Sequence, residues 1–169
     1  MRGVLFVLLL ACGGPSQKQL GVLTDDGRAA VKTWCPRVEM VSETPYVTPR
    51  SEWQSIETLI LHCEPEKEKA FADREYGDIV IDSKTNKLLL VNVYVRPANY
   101  DVIVERVVRP AVDEEARKAL EEFRPALEVG SRGTAKDWRR GGIYLNASVE
   151  PFERPIWNLT VGYVLKPKK

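Results

Sequence analysis

The sequence predicts a single α+β domain: a largely antiparallel sheet with one main helix packed on one face. Three observations predict it. Ile143, Leu145, Ala147 and Val149 alternate with Tyr144, Asn146 and Ser148. Trp157, Leu159, Val161, Tyr163 and Leu165 repeat that alternation against Asn158, Thr160 and Gly162, which is the period of half-buried strands. Residues 78–82 and 88–95 are two β-rich runs separated by Ser83-Lys84-Thr85-Asn86-Lys87, a hairpin signal. Asp113 opens a segment in which Ala116, Leu120 and Phe123 share a helical face, with Glu114 and Glu115 in a first turn that favours carboxylates.

Taken in order, residues 13–19 (Gly-Gly-Pro-Ser-Gln-Lys-Gln) have the small, polar composition of a flexible tether. A short helix is predicted from Asp25 through Ala29, Ala30, Val31 and Trp34, weakened at its start by Gly27 and stopped by Pro36. A short strand at 38–41 precedes a proline- and hydroxyl-rich loop at 44–51. Residues 56–63 read as a strand, and residues 64–75 as an exposed, charged helix or loop. After the 88–95 strand, Arg96-Pro97-Ala98-Asn99-Tyr100 turns the chain into a further strand at 102–108, ended by Pro110. The main helix follows and ends at Pro125. A glycine-bracketed loop spans 130–142, and residues 166–169 are a frayed tail.

The N-terminus carries the localisation signal. Met1-Arg2-Gly3 is followed by an apolar run to Leu10-Ala11-Cys12, about half of the 20 or so residues that crossing a bilayer takes. Leu9-Leu10-Ala11-Cys12-Gly13 resembles a bacterial lipobox. The resemblance implies that residues 1–11 are a signal peptide, that Cys12 is diacylated on sulfur and becomes the acylated first residue, and that 12–24 tether a domain at 25–169. It further implies a membrane partner through the lipid; Gly13 rather than Asp after the cysteine favours the outer membrane, facing periplasm or surface. Each buried CH₂ of such an anchor contributes about 0.8 kcal/mol.

Removal of 11 residues from 169 leaves 158, enough for one domain with a core. With 44% hydrophobic and 29% charged residues the chain is not disordered wholesale. Loss of Arg2 brings 25 basic residues to 24, against 24 acidic, which gives no argument for nucleic acid. Outside the cytosol Cys35 and Cys63 are free to form a disulfide, with buried free thiols as the alternative.

Catalysis finds no support in the sequence. His62 is the only histidine, and on a strand it points away from Cys63, so the two cannot share a proton. No zinc-type spacing, Walker loop or Gly-x-Ser-x-Gly occurs, so neither metal nor cofactor is expected. Asn146-Ala147-Ser148 and Asn158-Leu159-Thr160 match glycosylation acceptors, coincidentally in a bacterial lipoprotein. The most suggestive exposed segment is the 130–142 loop, where Arg132, Lys136, Arg139 and Arg140 flank Trp138, a composition found at protein contact centres. The same loop could instead lie with Trp138 tucked onto the domain edge.

Val104-Glu105-Arg106-Val107-Val108-Arg109-Pro110, Asp113-Glu114-Glu115-Ala116-Arg117-Lys118-Ala119-Leu120 and Phe123-Arg124-Pro125-Ala126-Leu127-Glu128-Val129-Gly130 resemble the C-terminal domain of TonB-family proteins, over 88–152 at most. That resemblance implies a valine-rich strand before the helix and a binding domain of similar shape. No glycine marks the turn between the two strands, the 131–142 loop is longer than the family's, and no transmembrane helix or long Pro-rich spacer precedes the domain. The expected function is a non-catalytic binding or assembly module serving an envelope protein. The alternative is a periplasmic carrier of a small hydrophobic or anionic ligand.

Overall fold

Antiparallel pairing joins all the strands of the structure, a computed structural model that describes residues 20–35, 37–41, 56–62, 74–131, 133–150 and 155–163; of 37–41 and 56–62 it describes the backbone. The elements run α1 (Asp25–Trp34), β1 (Arg37–Val41), β2 (Ile56–His62), β3 (Tyr76–Asp82), β4 (Leu88–Val95), α2 (Pro97–Ile103), α3 (Glu114–Val129), β5 (Ala135–Arg140), β6 (Ile143–Val149) and β7 (Trp157–Tyr163). The sheet order is β1-β2-β3-β4-β7-β6-β5. The fold is α+β, as the alternating and helical patterns require.

Register explains the core. Val91, Val93 and Val95 of β4 stand opposite Val161, Leu159 and Trp157 of β7, which in turn stand opposite Leu145, Ala147 and Val149 of β6. These nine side chains are all buried and form the floor on which the helices lie. α2 packs on β4 and β7, and α3 on β5 and β6. Ala116, Ala119, Leu120, Phe123 and Leu127 turn the apolar stripe of α3 toward that floor. Asp113 caps the helix, its carboxylate accepting the Ala116 N–H at 3.0 Å.

Four expectations are corrected. The 102–108 segment is not a strand: α2 runs on into a π-helical segment (Val104–Val108) and a 3₁₀ turn (Arg109–Ala111). Tyr100, Ile103, Val104, Val107, Val108 and Ala111 are buried, a three-and-four spacing that only a helix places on one side. The valine-rich strand implied by the TonB resemblance is therefore helical here. Second, α3 does not end at Pro125 but continues to Val129, because Leu127, 2% exposed, holds the last turn against the core. Third, residues 135–140 of the expected loop form strand β5. Fourth, the domain begins at least at Leu20. Leu20 and Leu23, placed in the tether by sequence, are 2% and 3% exposed. The Leu20 N–H donates to the Tyr163 hydroxyl at 3.0 Å, Gly21 donates to the Ala111 carbonyl, and Leu23 donates to that of Asn86. This segment joins the end of β7, the 3₁₀ turn and the β3–β4 turn, which takes it out of the expected tether.

The β3–β4 turn is built as its residues suggest. The Asp82 carboxylate accepts the Lys84 N–H at 3.0 Å, and Asn86 takes φ 55°, a left-handed conformation that asparagine tolerates. Glu75 is buried but satisfied: its carboxylate accepts the Arg96 N–H at 2.7 Å and the Asn99 side-chain amide at 2.8 and 2.9 Å, fixing the start of β3 to the start of α2.

Candidate functional site

Gly141 and Gly142, with φ 61° and 85°, form the two-residue turn that folds β5 back on β6. Positive φ at both positions matches the twist of the paired strands, and glycine reaches it without strain. β5 is thereby placed at one end of the sheet, and no described strand lies beyond it. An edge strand presents backbone N–H and C=O groups that another extended chain can pair with.

Alternation along β5 divides the cationic cluster anticipated from sequence. Lys136, Trp138 and Arg140 stand opposite Ala147, Leu145 and Ile143, whose side chains are in the core, so these three belong to the helix side of the sheet. Trp138 is partly buried against the core, while Lys136 and Arg140 are exposed. Arg140 pairs with Glu115 at the start of α3 at 2.7 Å. Asp137 and Arg139 lie on the opposite side, where Asp137 accepts the Asn146 amide at 2.7 Å. Arg132 lies outside the described residues.

That opposite side carries a row of polar residues in register: Asp78, Asn92, Thr160, Asn146 and Asp137 on successive strands. Asn158 and Thr160 both donate to Asn92 Oδ1 at 3.1 Å, and Thr160 also lies 3.1 Å from Asn158 Oδ1. Asn158 is 6% exposed and Asn146 is hydrogen-bonded within the sheet, so both glycosylation motifs are folded into strands. Tyr76 and Tyr94 stack at 4.4 Å on the same side. Burial, followed by the neighbouring Tyr94 and Glu150, pushes the Tyr76 hydroxyl up to about 12. Burial also raises Tyr94 and Tyr144.

Cys35 is fully buried and disulfide-bonded. Cys63, expected as its partner, and Cys12, the expected lipidation site, lie outside the described residues. The antiparallel register pairs Arg37 with His62, so the chain entering β1 and the chain leaving β2 meet at one end of the β1–β2 pair. Among the described residues, no group of three His, Cys, Asp or Glu could hold a metal ion, and no helix is long and apolar enough to cross a membrane.

No family model matches the chain, and no curated protein or solved structure matches it at a significant level.

Proposed function

We propose that the protein is an exported, lipid-anchored envelope lipoprotein that acts as a non-catalytic binding module, with the open edge of β5 as its contact surface. The observation that carries this reading is the six-residue edge strand, exposed at every position but Trp138. Its partner is an extended, acidic segment of another envelope protein, added to the sheet as a further strand. Main-chain hydrogen bonds supply the affinity of such an arrangement. Lys136 and Arg139, on opposite sides of the strand, favour carboxylates flanking the added segment.

The anchor supports the same reading. From Cys12 to Leu20 the chain spans roughly 30 Å at full extension, so a lipidated Cys12 keeps the domain beside the bilayer and its partner within the same layer. Outer-membrane placement follows from Gly13 after the cysteine.

The test places a photoreactive residue at Arg139 in cells and, as control, at exposed Glu122 on α3. A single crosslinked envelope protein from position 139, absent from position 122 and lost on combining Trp138→Ala with Lys136→Ala, is the expected result. Equal crosslinking from both positions overturns the edge assignment. Cys12→Ser that still fractionates with membranes overturns the anchor.

A further inference from the structure

A second site lies on the helix layer, away from β5. α3 and the α2–π segment run side by side, and between them opens a cleft of about 250 Å³. Two ion-pair straps cross it. At one end Arg124 donates from Nε and Nη2 to the two oxygens of Asp101, at 2.6 and 3.0 Å. At the other, Arg109 reaches Glu105 at 2.9 Å and Glu121 at 2.6 Å. Tyr100, Val104 and Leu120, all buried, form the floor between the straps.

Two groups in this cleft have unmet hydrogen-bonding capacity. The Tyr100 hydroxyl is buried, the residue being 1% exposed, and finds no partner among the described residues. Its ring is fixed edge-on to Trp157 at 5.2 Å, so it cannot swing out to water without breaking that packing. Buried hydroxyls are as a rule hydrogen-bonded, and an orphan one that lines a cleft points to a missing acceptor. Arg117 is the second group. Its Nε donates to the Arg109 carbonyl at 3.1 Å, which holds the guanidinium plane at the cleft, while no described carboxylate pairs with its terminal nitrogens. The other two arginines of the cleft are both occupied by carboxylates.

The backbone supports the same location. The Arg109 N–H bonds to the Val104 carbonyl, five residues back, and such π-helical turns occur frequently at functional sites because they displace one helical face. The 3₁₀ turn ends at Val112, which is extended, so the Arg109 carbonyl lies in the last helical turn, where carbonyls lack a helical donor, and the Arg117 side chain takes it instead.

We propose that this cleft binds a small, elongated carboxylic acid: carboxylate on Arg117, apolar middle on Leu120 and Val104, and a neutral oxygen acceptor on the Tyr100 hydroxyl. Spacing sets the length. Arg117 and Arg124 are seven residues apart on α3, about 10 Å along the axis, and Tyr100 lies at the Arg124 end beside Asp101. A guanidinium with both terminal nitrogens open takes a carboxylate in bidentate fashion. A volume of about 250 Å³ suits one ring or a short chain. This binding does not depend on the β5 edge, so either assignment can fail alone.

The probe is 4-acetylbenzoate, titrated calorimetrically into the purified full chain. Two analogues act as controls: 4-acetylbenzamide lacks the charge and 4-ethylbenzoate lacks the second oxygen. Saturable binding of 4-acetylbenzoate is expected, weakened at least about tenfold in the amide and by Arg117→Gln. Tyr100→Phe should erase the preference for acetyl over ethyl while leaving the melting temperature undiminished, since the hydroxyl it removes bonds to nothing among the described residues. Absence of saturation up to the solubility limit overturns the proposal. So does equal affinity for acid and amide, a comparison made on the unaltered protein and independent of how any variant folds.

Discussion

Gly27→Ala should destabilise the protein, although on an exposed helix the same change stabilises. Alanine exceeds glycine in helix propensity by about 0.8–1 kcal/mol, and Gly27 sits inside α1. Against that, a Cβ at position 27 would lie 2.7 Å from the Arg106 carbonyl oxygen, where ordinary contact begins at 3.4 Å. The obstacle is backbone of the π-helical segment, which no rotamer change can move aside. Leu23 Cδ1 at 3.1 Å and Thr24 Oγ1 at 3.3 Å close the remaining directions. α1 must therefore shift by about 0.7 Å, and forced overpacking of this kind costs roughly 1–3 kcal/mol. Subtracting the propensity gain leaves a net loss of up to about 2 kcal/mol, centred near 1 kcal/mol. Urea unfolding followed by tryptophan fluorescence reads it as a lower midpoint at unchanged slope. Ala29→Gly on the exposed side of the same helix calibrates propensity alone and should lose about 1 kcal/mol. A Gly27→Ala protein as stable as wild type, or more so, would refute the close packing of α1 on the π segment.

Three further outcomes are expected. Asp113→Ala removes the N-cap of α3 and should cost about 1 kcal/mol, read in the same urea assay, with Asp113→Asn largely retaining it. Raised tyrosine values make stability pH-dependent at the alkaline end. Tyr76 titrates near 10 when unfolded and about 12 when folded, so its stabilising share is complete below pH 10 and is lost as pH rises through 12. Phenolate absorbance should show a late-titrating component that shrinks in Tyr76→Phe. Finally, non-reducing peptide mapping should join Cys35 to Cys63, and Cys63→Ala should lose roughly 3–4 kcal/mol for a loop of that length.

Legibility in the sequence followed how strongly one physical signal dominated each segment. β6 is legible from Ile143 to Val149, because strict alternation over seven residues has no helical interpretation. The 102–108 segment misled because four valines and an isoleucine within 102–108 raise β-propensity, and propensity is a weaker guide than spacing. The three-and-four pattern from Tyr100 to Ala111 was present and points to a helix. β5 was hidden for the opposite reason: Ala-Lys-Asp-Trp-Arg-Arg has almost no apolar face, as suits an edge strand that buries only Trp138. Gly141-Gly142 between it and a clear strand was the overlooked hairpin signal. Gly27 read as a weak point in a helix, whereas in three dimensions it is where two helical backbones meet.

The cleft could not have been found by scanning for motifs, and its construction shows why. Arg109, Arg117 and Arg124 are spaced eight and seven residues apart, as are many arginines on solvated helix faces. The antiparallel approach of the α2–π segment to α3 supplies the pairs that cross between them, Arg109 with Glu121 and Arg124 with Asp101. Arg109 and Arg124 each take one acid across the cleft, Glu121 and Asp101, and one on their own segment, Glu105 and Glu128. Arg117 is instead turned onto the Arg109 carbonyl, a group left for bonding because the helical run ends at Val112. Tyr100, read from sequence as part of a turn, is placed under the same cleft by the helix that replaces the expected strand. A strand at 102–108 would have put Val102 on the face of Tyr100 and Val104 and turned Ile103 away; the helix instead buries Tyr100, Ile103, Val104 and Val107 together and leaves Val102 exposed, which sets the floor of the cleft.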